Sequence, residues 1–122
     1  MSKAIELVPK FWQPYINRGG TYILLKQYSK AIEDLSKAIE LNPKAELAYT
    51  NRGDAYLLLK QYQEAINDLS KAIELNPKNQ LAYAKRAKAY KSLEKQDLAK
   101  KDMDKALSLG FKPSKEFLSQ YK

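Results

Sequence analysis

The chain contains neither cysteine nor histidine, which removes thiol nucleophiles, disulfides, thiolate and imidazole metal ligands and imidazole bases together. Most hydrolytic and zinc chemistry is closed to it, and no glycine-rich phosphate loop points to another kind. Valine occurs once and neither an Asn-Gly nor an Asp-Gly dipeptide is found, so strand and hairpin signals are missing. No apolar run approaches the length of a membrane span. The first residues lack the apolar stretch and cleavage site of a secretory signal. The expectation is an intracellular, cytoplasmic protein without cofactor, metal or membrane partner, and not an enzyme.

What is present is a composition of 44% hydrophobic and 30% charged residues over 122 positions, enough for one domain with a continuous core. The net charge of +8 is unevenly placed. Residues 1–79 carry 11 basic and 9 acidic side chains, whereas residues 80–122 carry 11 and 5. A basic third with tyrosines can resemble a phosphate-binding surface. The tyrosines, however, recur as packing residues and the lysines have no motif around them, so nucleic acid is not the expected partner.

Self-similarity appears at a spacing of 34 residues. Tyr15, Tyr49 and Tyr83 are in register, as are Tyr22, Tyr56 and Tyr90; Ala31, Ala65 and Ala99; and Ala38, Ala72 and Ala106. Residues 12–45 laid over 46–79 give 23 identities, and 46–79 over 80–113 give 13, so the third unit has diverged. Each unit carries two segments with apolar residues at helical spacing. The first ends near Lys60-Gln61 and the second near Asn76-Pro77, where proline stops a helix and biases the residue before it away from helical geometry. Gly19, Gly53 and Ala87, with the alanine triplets, would let the two helices of a unit approach closely.

These residues carry a name. Tyr-x-Asn-Arg-Gly-x-Ala-Tyr at 49–56, followed by Tyr62, Ala65, Leu69, Ala72 and Pro77, resembles the tetratricopeptide repeat. The resemblance implies an all-α, right-handed solenoid of antiparallel helix pairs whose first helices line a concave groove. The units fall at 12–45, 46–79 and 80–113, with a second-helix stub at 1–11 and a capping helix at 114–122. Two departures stand out. A slot commonly leucine in the family holds Arg18, Arg52 and Arg86, whose stems are expected to pack while the guanidinium reaches outward. The third unit has Phe111 in place of proline and Gln96 where an aromatic usually opens the second helix.

The resemblance also implies a function: binding an extended, acidic or C-terminal peptide in the groove, as an adaptor or scaffold. The family's groove slots map here to Gln13, Ile16, Asn17, Gly20, Ile23 and Leu24, to Leu47, Thr50, Asn51, Asp54, Leu57 and Leu58, and to Leu81, Ala84, Lys85, Lys88, Lys91 and Ser92. Asn17 and Asn51 share one slot with Lys85, and an asparagine amide can pair with both groups of a peptide bond. That pattern is similar to the asparagine ladder in the tetratricopeptide superhelix of the O-linked N-acetylglucosamine transferases. Lys85, Lys88 and Lys91 lie about a turn apart, a positive stripe for an acidic group. Leu47, Leu57, Leu58 and Leu81 would supply apolar contact, and Thr50 and Asp54 complete the set.

Two alternatives accompany this reading. The terminal stubs could complete a repeat between neighbouring copies, giving a head-to-tail homo-oligomer, although Tyr121 occupies a slot where such a contact wants glycine or alanine. Alternatively, the groove could hold chaperone tails through the carboxylate clamp of co-chaperone relatives. Asn51 and Lys85 fit that clamp, but Ile16, Gly20 and Leu81 replace its other polar residues. The remaining carboxylates, Glu33-Asp34, Glu40, Glu74, Asp97, Asp102 and Asp104, read as solvated surface charge beside lysines such as Lys100, Lys101 and Lys105.

Overall fold

A computed structural model describes residues 11–121. Its helices are α1 (Trp12–Leu24), α2 (Tyr28–Leu41), α3 (Glu46–Leu58), α4 (Tyr62–Leu75), α5 (Gln80–Ser92), α6 (Gln96–Ser108) and the short α7 (Lys115–Ser119). No strand occurs among the described residues. Apart from Phe11, the N-terminal stub expected at 1–11 lies outside them.

Consecutive helices pack as pairs, α1 with α2, α3 with α4 and α5 with α6, and each pair stacks on the next. First helices also touch across pairs, α1 against α3 and α3 against α5, whereas no such approach joins α2 to α4 or α4 to α6. That asymmetry curves the stack. The first helices lie on its inner, concave side and the second helices splay on the outer side.

Each pair is closed by small residues meeting one large one. A Cβ placed on Gly19 would lie 2.7 Å from Leu35 Cγ, and one on Gly53 2.8 Å from Leu69 Cγ. In the third pair the same positions hold Ala87 and Met103, so the added methyl coincides with a thioether chain that can bend around it. Leu35, Leu69 and Met103 are the largest fully buried side chains, surrounded by alanines of both helices.

The turns follow two rules. Between the helices of a pair, Lys26, Lys60 and Glu94 take φ of 60°, 63° and 62°. Each closes a six-to-one and a five-to-two backbone hydrogen bond, as in Gln61 N to Tyr56 O and Lys60 N to Leu57 O, the Schellman ending that ordinarily uses glycine. Between pairs, Asn42 and Asn76 are extended at φ −144° and −147°, as residues preceding proline must be. The third unit has no proline there. Instead Gly110, at φ +108°, closes the same pair of hydrogen bonds, Gly110 N to Leu107 O and Phe111 N to Ala106 O, and α6 stops at Ser108, a residue earlier in register than α2 and α4.

The arginine slot departs from the sequence expectation. Arg52 does not reach outward: Nε and Nη2 donate to Asp68 Oδ2 and Oδ1 at 2.7 and 2.8 Å, and Arg18 and Arg86 grip Asp34 and Asp102 in the same way. Asp34, Asp68 and Asp102 are buried, so Asp34 and Asp102 are not solvated surface charges. Each guanidinium also lies near two tyrosine rings, Arg52 being 5.9 Å from Tyr49 and 6.0 Å from Tyr56. The hydrogen bond to the carboxylate holds the arginine pKa above its ordinary value in all three. Glu33, Glu40, Glu74, Asp97 and Asp104 are exposed.

At the C-terminal end, Ser114 accepts from Phe117 N and starts α7. Tyr121 is buried against the third pair. In the first two slots of this register a glycine meets a leucine of the second helix, and in the third Ala87 packs with Met103. Tyr121 has no second helix after it among the described residues and folds back to cover the end of the core.

Candidate functional site

The concave side carries its polar residues on α1, α3 and α5. Asn17 is exposed and Asn51 half-buried, and neither side-chain amide is engaged in a hydrogen bond among the described residues. Lys85 is already occupied. Its Nζ donates to Asp54 Oδ1 at 3.1 Å, an ion pair that links α3 and α5 across adjacent pairs. Lys88 is exposed and makes no ion pair among the described residues, while Lys91 is half-buried beside Gln120 and Tyr121. The expected three-lysine stripe therefore reduces to Lys88 as its one unengaged, exposed member among the described residues.

Of the other expected residues, two cannot present their side chains. Leu57 is 7% exposed within the core and Thr50 is 3% exposed. The Thr50 hydroxyl donates to Glu46 O at 3.0 Å and accepts from Asn79 Nδ2 at 2.9 Å. Their position on a first helix suggested the groove, but Thr50 shares a buried register with Ile16 and Ala84, 4% and 6% exposed, and Leu57 lies on α3, which other helices flank on both sides. Leu58 is exposed, at the C-terminal end of α3. Leu47 and Leu81 are 55% and 50% exposed.

Leu47 and Leu81 open onto a cavity of about 1010 Å³ formed by the beginnings of α1, α3 and α5 and the turns that precede them. It gathers Asn17, Leu47, Thr50 and Leu81 of the expected set, together with Gln13 and Ile16, and leaves out Asn51, Asp54, Leu57, Leu58, Lys85, Lys88 and Lys91. Its remaining walls come from residues that the sequence reading used only as structural punctuation or passed over, chiefly Trp12, Asn42, Lys44, Glu46, Asn76, Lys78 and Asn79. The Asn-Pro-Lys triplets at 42–44 and 76–78 were a legible signal, because a turn that recurs with the repeat must recur at the same edge of the groove.

The cavity lining is tied together by one oxygen of a half-buried carboxylate. Glu46 Oε2 accepts from Asn76 Nδ2 and Asn79 Nδ2, both at 2.9 Å, and Asn79 Oδ1 also caps α5 by accepting from Ala82 N. Lys44 and Lys78 stand exposed at the rim. Among the described residues no group of histidine, cysteine, aspartate or glutamate is arranged to hold a metal ion, and no helix is long and apolar enough to cross a membrane.

Paired helices stacked with their first members inward, and an open groove with free amides on that side, define a helical-repeat interaction module. Family profiles described as tetratricopeptide repeat match residues 47–79 and 81–109, and one described as TPR repeat matches 19–60. The chain belongs to the tetratricopeptide repeat family, and its fold is that family's right-handed solenoid. Among solved structures it is similar to the Arabidopsis OM64 TPR domain, with 32% identity, a TM-score of 0.83 and coverage of 84% of this chain and 85% of that one. It is also similar to the second TPR of Spaghetti (RPAP3) bound to the HSP90 peptide SRMEEVD, at 30% identity and TM-score 0.83 over 88% and 98% of the two chains. The second TPR domain of human RPAP3 in complex with the HSP70 peptide SGPTIEEVD gives 29%, 0.83, 93% and 94%. A comparison with curated protein sequences gives no significant match.

Proposed function

We propose that this protein is an adaptor or scaffold that holds an extended peptide segment of a partner protein along its concave groove. The observation that carries this reading is the pair of unengaged amides at Asn17 and Asn51, in register on neighbouring inner helices. An amide with both donor and acceptor free can pair with a peptide bond whatever the side chains. A rigid groove orders such a segment at lower entropic cost than a mobile one. Lys88 supplies a positive group for an acidic residue of the partner, and Lys85 joins it only by exchanging its contact with Asp54.

Similar structures hold chaperone tail peptides, which favours a peptide ligand in this groove. The identity of that ligand is another matter. Ile16 is buried, Gly20 has no side chain to offer and Leu81 is apolar, so three of the positions that would clamp a terminal carboxylate lack the groups to do so. A chaperone tail is therefore not the ligand proposed.

The test is selection from a library of random peptides displayed with free C-termini, on the wild type and on an Asn17→Ala, Asn51→Ala variant. Both substitutions are at accessible positions and leave the core intact. Enrichment on the wild type and at least about tenfold weaker binding by the variant is expected, the loss of about 1.4 kcal/mol that two backbone-directed hydrogen bonds represent. Equal selection by both proteins would refute the role of the amides.

A further inference from the structure

We propose that the cavity at the beginning of the groove is a pocket for a bulky apolar side chain of the bound segment, with an acidic neighbour of that side chain lying against Lys44 and Lys78. The inference rests on the groove reading above and adds what the segment must contain.

Three observations lead to it. Leu47 and Leu81 occur in register and each leaves about half of its surface uncovered toward the same hollow, 55% and 50%, beside Trp12 and Ile16. Apolar surface concentrated in a concavity of about 1010 Å³ is what an anchoring side chain removes from water. Part of the polar lining is engaged within the protein: Glu46 Oε2 takes two amide donors at 2.9 Å and the Thr50 hydroxyl is bonded on both sides. At the rim, Lys44 and Lys78 make no ion pair among the described residues. They outnumber Glu46, the one acidic residue of the cavity lining, and favour a partner segment of negative charge. The occupant is therefore a peptide with a large aromatic or aliphatic residue beside aspartate or glutamate.

Trp12 is the only tryptophan and it lines the cavity, so its fluorescence reports occupancy directly. The probe is the peptide acetyl-Asp-Glu-Phe-Leu-Glu-Asp-amide, titrated into the full chain with excitation at the red edge, where the nine tyrosines contribute little. Two controls accompany it, one with alanine for Phe and Leu and one with lysine for every acidic residue. A saturable change with the first peptide is expected, and binding weaker by at least about tenfold with each control, as when a buried large side chain is cut to alanine. Leu47→Asp with Leu81→Asp should abolish the response, and Lys44→Glu with Lys78→Glu, on exposed turns, should reproduce the loss for the acidic peptide.

The absence of a saturable response, or equal responses to all three peptides, overturns the proposal. So does a Trp12 signal that changes on diluting the protein alone, which would make a second copy the occupant. Calorimetry with the same peptide separates this proposal from the groove reading. Binding lost in Asn17→Ala, Asn51→Ala but kept in Leu47→Asp, Leu81→Asp leaves the groove and removes the pocket; binding kept in both removes both.

Discussion

The Arg52 guanidinium closes a two-point fork on the Asp68 carboxylate at 2.7 and 2.8 Å, and its Nη1 reaches back 3.0 Å to Ser36 of the preceding helix pair. One side chain thus ties the two helices of its own repeat together and fastens them to the repeat before. Arg86 does the same to Asp102 and Ser70. The side chains of Arg52 and Arg86 are 21% and 19% exposed, that of Arg18 60%.

Removing the acid should therefore be costly. Asp68→Ala leaves a half-buried guanidinium without its partner, and a loss of about 3 kcal/mol is expected. Arg18→Ala, at the exposed end of the row, should cost clearly less than Arg52→Ala. Urea unfolding of the three variants, followed by circular dichroism, makes the comparison.

The contact of Gly53 with Leu69 predicts a reversal of sign. Gly53→Ala puts a Cβ 2.8 Å from Leu69 Cγ, and overpacking of this kind costs about 1–3 kcal/mol. With Leu69→Met in place, the pair becomes that of Ala87 and Met103 in the third repeat. The alanine should then be neutral or stabilising, because glycine within a helix is worse than alanine by about 0.5–1 kcal/mol. A double-mutant cycle reads the coupling, which should exceed about 1 kcal/mol.

Lys60 is a non-glycine residue at φ 63°. Lys60→Gly relieves a left-handed conformation that costs an ordinary residue about 1–2 kcal/mol, offset in part by the greater freedom of glycine in the unfolded chain. A net gain of some tenths to about 1 kcal/mol is expected, visible as a small rise in melting temperature. An unchanged or lowered value would contradict it.

Burial raises the pKa of Tyr121 above the ordinary tyrosine value of 10.0. A folded-state pKa above the unfolded one means that the group's contribution is complete below the unfolded value and is lost as pH rises through the folded one. Docking of the C-terminal segment should therefore loosen in the alkaline range above 10.0. Tyr121→Phe should remove that part of the alkaline dependence while keeping the apolar contact. Stability curves of the two proteins against pH give the answer.

Much of the fold was legible because it is written in a single register. Tyr15, Tyr49 and Tyr83 marked the first helices, the alanine triplets marked the second, and Asn-Pro marked the returns. Asp34, Asp68 and Asp102 share that register equally, but an aspartate beside charged neighbours has the look of solvent-facing charge. Its arginine lies sixteen residues earlier on another helix, a pairing that helical periodicity within one segment does not carry. The candidate site was less legible for the same reason. Lys85 and Asp54 are 31 residues apart and meet only after the repeats stack. Leu57 is buried while Ile23 and Lys91 of the same register are only half-buried, a consequence of α3 being flanked on both sides, whereas Thr50 falls in a register that is buried in all three units, with Ile16 and Ala84.

The concave side, not the convex one, is proposed to receive a peptide. Amide chemical shifts of the labelled protein, recorded while adding the peptide pool enriched by selection on the wild type, test it most directly. Changes are expected to concentrate on α1, α3 and α5 and the turns at Lys44 and Lys78, with Asn17, Asn51 and Leu81 among the largest. Changes concentrated on α2, α4 and α6, with those residues unmoved, would contradict it.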